Sequence, residues 1–221
     1  MTRLFVTASG TDLGKTFVTA SLIASARRRG LSVRAVKPLA TGFDPAALAA
    51  SDPGILLEAQ GLAPAAIDRV TPWRFSAPLS PDLAAAREGR QVPVDEIIAF
   101  SRAAIAGPEQ LVLIEGIGGV MVPLDETRTV LAWIAALDMP VVLVVGSYLG
   151  ALSHALTALR VLDAAGIETR AVVVSETPGS TVTLDDTVAV LRRFTSAEVI
   201  ALPRLAASSP PSPVEVLLGG N

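Results

Sequence analysis

The sequence predicts a single α/β domain, a doubly wound and mostly parallel sheet with helices on both faces. Short runs rich in Val, Leu and Ile recur without polar alternation, which is how strands covered on both faces read. Stretches of helical periodicity fall between them, and strands alternating with helices imply parallel pairing. The residues just past the runs are polar and Gly-rich, as expected where ligands lie beyond the carboxyl ends of such a sheet.

Taken in order, Arg3 to Ala8 is a β-branched and aromatic run. A Gly-containing turn follows, then a helical pattern from Lys15 to Arg29 that stops at Gly30. Ser32 to Lys37 alternates before Pro38, Leu111 to Glu115 is apolar and ends in a carboxylate, Pro140 to Val145 is apolar, and Arg170 to Val174 closes the strands. Helices are expected at about Val94 to Ala106, Thr127 to Leu137, Gly150 to Ala165 and Leu184 to Arg193. Pro45 to Pro81, rich in Ala and Pro, reads as an excursion near 45–81 from one domain spanning 1–221. The Ser and Pro residues from Ser208 to Pro213 mark a loosely held C-terminal segment near 206–221.

With 221 residues the chain can bury roughly 70% of the surface its unfolded form exposes, so folding needs no disulfide, metal or partner. It has no Cys, which excludes a disulfide scaffold and a thiolate metal site. Lys+Arg 18 against Asp+Glu 21 gives a formal net charge of -3 and no basic footprint for nucleic acid. The cluster Arg27-Arg28-Arg29 ends a helix, where cations complement the dipole. No apolar run approaches the roughly 18 residues of a membrane span, and the N-terminus meets polar residues at once. A cytoplasmic protein without a membrane partner is the expectation.

Gly14-Lys15-Thr16, after a strand and opening a helix, reads as the end of a phosphate-binding loop. Backbone N–H groups hold anionic oxygens, the Lys neutralises terminal phosphates, and the Thr hydroxyl binds Mg²⁺. The usual spacing places a Gly five positions earlier, where this chain has Ser9 and then Gly10; a plain helix start competes with this reading. Glu115, at the tip of Leu111-Val112-Leu113-Ile114, is placed to be a second Mg²⁺ ligand, against the alternative of a solvated strand end. Gly116-Ile117-Gly118-Gly119 lets backbone pass close to a ligand, or makes a plain tight turn. Lys37 can sit on a transferring phosphoryl group, although a lone lysine at a strand end is ordinarily solvated.

With these segments in order, the chain resembles the dethiobiotin synthetases, ATP-dependent enzymes of the deviant P-loop NTPase class. The resemblance rests on Phe5-Val6-Thr7 leading to Gly14-Lys15-Thr16, on Lys37-Pro38-Leu39-Ala40-Thr41-Gly42, and on Phe75 to Pro81. Glu115-Gly116-Ile117-Gly118-Gly119 with Pro123-Leu124, and Pro140 to Gly146 followed by Leu149 to His154, complete it. It implies ATP and Mg²⁺ as cofactors, Lys15, Lys37 and Thr11 as catalytic groups, and a metal site of Thr16, Asp52 and Glu115. The nucleotide would lie on Gly10, Thr11, Asp12, Leu13, Gly14, Lys15 and Thr16, with Glu115, Gly118, Ser175 and Glu176. Thr41 would bind the carbamate end of the substrate, and the backbone of Leu149, Gly150, Ala151, Leu152 and Ser153 its carboxylate, across a homodimer interface. The implied reaction joins 7,8-diaminopelargonate and CO₂ through a carbamate and a carbamic-phosphoric anhydride to a cyclic urea. No His or Cys nucleophile is needed, which fits one His and no Cys.

Three departures from the family pattern stand out. Ala8-Ser9-Gly10-Thr11 replaces Gly-Thr-Asp-Thr, so either the loop bends differently or Gly10 takes the positive φ. Asp12 stands for a longer glutamate. Ser175-Glu176 replaces an Asn-Asp pair that reads adenine; a hydroxyl lacks the paired donor and acceptor of an amide, so weaker or broader nucleotide selectivity is expected. His154 reads as structural, Trp133 as core, and Trp73 and Phe75 as buried aromatics or a lining for the substrate's alkyl chain. The rival reading is a regulatory or partitioning-type ATPase switch, but no second lysine lies between Arg3 and Lys15.

Overall fold

A computed structural model describes residues 1–204 and 213–219. Along the chain run β1 (Thr2–Ala8), α1 (Lys15–Arg28), β2 (Val33–Val36), β3 (Leu39–Ala40), α2 (Asp52–Gln60), α3 (Ile67–Val70), β4 (Trp73–Arg74) and α4 (Pro81–Arg87). There follow α5 (Val94–Ile105), β5 (Leu111–Glu115), α6 (Val130–Leu137), β6 (Val141–Gly146), α7 (Ala151–Ala164), β7 (Thr169–Ser175), α8 (Leu184–Leu191) and β8 (Glu198–Leu202). Six strands form one sheet in the order β2-β5-β1-β6-β7-β8, all pairs parallel. Short β3 and β4 pair separately.

Side chains alternate across a strand, so each strand feeds two cores. Leu4, Val6 and Ala8 pack with Val18, Leu22 and Ile23 of α1 on one face. Phe5 packs on the other, edge to face with Trp133 at 5.0 Å between ring centroids. Trp133 is fully buried and donates its indole N–H to Ser101 Oγ at 3.1 Å, so it is core, as expected.

Three expectations need amendment. The strands do not end at Val174, because Glu198–Leu202 pairs beside β7 as an edge strand. The excursion carries α2, α3 and β4, which pairs with β3 just ahead of it, with Leu56, Leu57 and Val70 buried against the α1 face. Of the segment near 206–221, residues 213–218 form a 3₁₀ turn whose Val214 and Leu217 are buried in that core, tied down where Arg28 meets Glu215; the rest of this segment, apart from residue 219, lies outside the described residues.

Candidate active site

The sheet order puts β1 between β5 and β6, so the segment after β1 crosses the middle of the carboxyl edge. Ser9 N–H donates to the Val144 carbonyl at 3.0 Å, and Val120 N–H to the Ala8 carbonyl at 3.1 Å, fixing the loop on both sides. Its turns are made at Asp12 (φ 58) and Gly14 (φ 93). Ala8 stays in the strand and Gly10 does not take a positive φ, so of the two alternatives raised by the altered loop the structure has the loop bending differently, at Asp12. Asp is among the few residues that tolerate the left-handed region. Gly14 caps α1 beside the cleft, and a Cβ there would lie 3.3 Å from Ser175 Oγ. A Cβ on Gly119 would come within 3.2 Å of Ser9 and Gly10 backbone, so the Gly-rich turn after β5 packs directly on the loop.

Register explains how two distant residues meet. Val36 pairs with Ile114, so Lys37 and Glu115 leave adjacent strands side by side. Lys37 Nζ lies 2.8 Å from Glu115 Oε1 and 3.0 Å from Asp52 Oδ2, the latter at the first turn of α2. Thr16, in the first turn of α1, donates its hydroxyl to Glu115 Oε1 at 2.7 Å. Lys37 and Glu115 are 3% and 0% exposed, so neither is the solvated strand end that a sequence reading leaves open. Burial alone would depress the Lys37 ammonium, but the carboxylates of Glu115 and Asp52 outweigh it and hold it above the ordinary lysine value. Lys15, buried and near the positive Lys37, is lowered to about 8 despite Glu115, Asp52 and Asp12. Its Nζ reaches back to 3.5 Å from the Gly10 carbonyl. Burial opposes ionisation of Asp52, yet Lys37 holds its carboxyl below the usual range.

Glu115 Oε2 is buried with no hydrogen-bond partner among the described residues. With Asp52 and the Thr16 hydroxyl it forms a wall of hard oxygen donors. No cluster of three or more His, Cys, Asp or Glu side chains placed to hold a metal occurs among the described residues. Two carboxylates and a hydroxyl are a donor set whose chemistry fits Mg²⁺, which takes one or two protein carboxylates rather than a full cage.

Thr11, Asp12, Gly14, Lys15, Thr16, Lys37, Thr41, Asp52 and Gly118 line one cleft of about 370 Å³ with Ile117, which sequence reasoning did not assign a role. Leu13, Ser175 and Glu176 instead line an adjoining cavity of about 450 Å³ that shares Asp12 and Gly14 with the first. That cavity adds Phe17, Gly146, Thr177, Pro178, Leu202, Pro203 and Arg204, none given a site role from the sequence. Gly146, Thr177 and Pro178 stand at the ends of β6 and β7, where ligands are expected, and Phe17 is a half-exposed aromatic next to the loop's Thr16, whereas Leu202, Pro203 and Arg204 needed β8 to be placed. Leu149 to Ser153 open α7 and line neither cavity, with Leu149 83% exposed. His154 Nδ1 lies 2.7 Å from the Tyr148 hydroxyl, a local pairing in keeping with a structural role.

A sequence model of the family described as AAA domain matches residues 2–212. The chain is 48% identical over 212 residues to the ATP-dependent dethiobiotin synthetase BioD of Methylobacterium nodulans, covering 92% of this chain and 94% of that one. It is 46% identical over 220 residues to the protein of the same name from Caulobacter vibrioides, covering 99% and 100%. With that of Acidiphilium cryptum it shares 51% over 178 residues, covering 79% and 80%. Among solved structures it resembles chloroplast FtsY of Physcomitrella patens at TM-score 0.57 and 15% identity, spanning 99% of this chain and 65% of that one, just under two thirds. The MinC:MinD complex of Aquifex aeolicus matches at TM-score 0.53 and 14% identity over 93% of this chain and 82% of that one. At those identities the likeness carries the fold alone.

Proposed function

The chain belongs to the dethiobiotin synthetase family of ATP-dependent ligases, and on that premise we propose that it closes 7,8-diaminopelargonate with CO₂ into a cyclic urea. The observation that carries the site assignment is the meeting of Lys15, Lys37, Thr16 and Asp52 on one cleft, with the buried Glu115 bonded to Lys37 and Thr16 behind its wall.

A neutral amine of the substrate adds CO₂ to give a carbamate, releasing a proton. A carbamate oxygen then attacks the γ-phosphorus, the bond to the β-phosphate oxygen breaks, and ADP leaves. The second amine attacks the carbamoyl carbon of the mixed anhydride, phosphate departs, and the five-membered ring closes. Phosphoryl transfer depends on positioning and charge stabilisation, which falls to Lys15, Lys37, the Thr11 hydroxyl and the loop N–H groups. Mg²⁺ bound by Thr16, Asp52 and Glu115 would add charge neutralisation on the phosphates. Lys37 is held between two carboxylates close to where the transferring group arrives, so its charge is preorganised. Thr41, on the same cleft wall, binds the carbamate end.

The α7 N-terminal turn at Leu149–Ser153 binds the substrate carboxylate from a second copy of the chain, and the working form is a homodimer. Its separation from both cavities within one chain, and the exposure of Leu149, support this. Among the described residues no helix is long and apolar enough to cross a membrane. A cytoplasmic location belongs to the same proposal. A regulatory ATPase switch is the rival reading, and the test separates the two. The chain is incubated with ATP, Mg²⁺, bicarbonate and the diamine, and products are weighed by mass spectrometry. A product heavier than the diamine by one carbonyl less two hydrogens, matched by phosphate release, is expected. Diamine-independent hydrolysis with no cyclic urea would overturn the ligase assignment.

A further inference from the structure

The second cavity adjoins the phosphate cleft at Gly14, the position a nucleoside would occupy if the triphosphate lies on the loop. Its apolar walls come from Leu13, Phe17, Pro178, Leu202 and Pro203. Its polar groups are few, and several are already engaged. Thr177 Oγ1 accepts from Ser147 N–H at 3.1 Å, and Thr177 N–H donates to Ser147 Oγ at 2.9 Å, so this pair braces the loops after β6 and β7. Glu176 N–H donates to the Leu202 carbonyl at 3.0 Å, and Glu176 Oε2 accepts from Arg204 N–H at 2.7 Å, which ties β7 to β8. Four side-chain groups remain among the described residues: the Asp12 carboxylate, the Ser175 hydroxyl, the second Glu176 oxygen and the Arg204 guanidinium.

These four differ in kind from a base-reading device. A hydroxyl turns to donate or accept, a carboxylate oxygen only accepts, and an exposed guanidinium only donates. Every nucleobase edge carries at least one donor and one acceptor, so this set satisfies each base in some way and is left unpaired by none. Discrimination of four or five orders of magnitude arises where a wrong ligand strands a buried polar group; a pocket that works by shape reaches only about a hundredfold. Aromatic stacking on Phe17 is indifferent to identity, because every base has a π-face.

We propose that this chain takes ribonucleoside triphosphates as a class, ATP among them, because its second cavity holds the base by shape and stacking without a fixed donor–acceptor pair. The proposal rests on the ligase reading above, whose nucleotide it specifies. Initial rates are measured with ATP, GTP, CTP and UTP in turn, with Mg²⁺, bicarbonate and the diamine, following both phosphate and the cyclic product. The kcat/KM values are expected to agree within about a hundredfold. ATP ahead of all three others by more than that overturns the proposal. If no triphosphate supports turnover, the ligase reading fails and calorimetric binding of the four nucleotides with Mg²⁺ decides the base question by the same hundredfold criterion. Ser175→Asn, which installs an amide with its donor and acceptor paired, is expected to widen the spread among the four at least about tenfold; an unchanged spread would place the base away from Ser175 and count against the cavity.

Discussion

At the residue scale the decisive contacts are charge pairs withdrawn from water. Lys15 carries its proton below about pH 8 and loses it above, and a triphosphate favours the charged amine. Nucleotide binding is therefore expected to take up a proton at about pH 9 and almost none at about pH 7. Calorimetry in buffers of different ionisation enthalpy reads this directly, and equal proton uptake at both values would refute it. The Lys37–Glu115 pair behaves differently, since removing one partner strands a buried charge. Lys37→Met is expected to cost about 3–5 kcal/mol of stability in urea unfolding, and Glu115→Gln in the same chain to recover most of it. A Lys37→Met protein as stable as the parent would show that water reaches Glu115.

At the element scale, the first turn of α1 lines the cleft while its flank is buried by α2 and the 213–218 turn. Leu217, 3% exposed in that turn, fills the α1 face. Leu217→Ala is expected to lower stability by about 2–5 kcal/mol, checked by denaturant titration, and a change below about 0.5 kcal/mol would mean the turn is detached in solution. The central runs were legible as strands because burial on both faces keeps Leu111–Ile114 and Val141–Val145 free of polar residues. Glu198–Leu202 was not, since this edge strand begins on an exposed Glu. In the excursion, Pro at the first turns of α2 and α4 starts helices, while Ala and Gly blur their period.

At the scale of the whole molecule, the homodimer proposal has a specific consequence. Leu149, 83% exposed at the start of α7, belongs in the contact between copies. Leu149→Glu is expected to shift the protein toward monomer in sedimentation and to raise the diamine KM by about tenfold or more, with ATP affinity nearly unchanged. A dimer that persists with unaltered KM would remove α7 from the interface.

Gly14-Lys15-Thr16 and the acid-tipped run ending at Glu115 stood out in the sequence because each has a local chemical reason, whereas Thr11, Thr41 and Asp52 were named only through the resemblance and Ile117 not at all. Composition and local order determined an α/β sheet, a phosphate loop and the absence of thiol chemistry. Only the tertiary structure decided that Asp12 bends the loop, that Lys37 lies against Glu115 and Asp52, and that Ser175 faces a different cavity from Lys15. The reason is that a motif is written in neighbouring residues, whereas strand register and crossover order set distances between residues far apart in the chain.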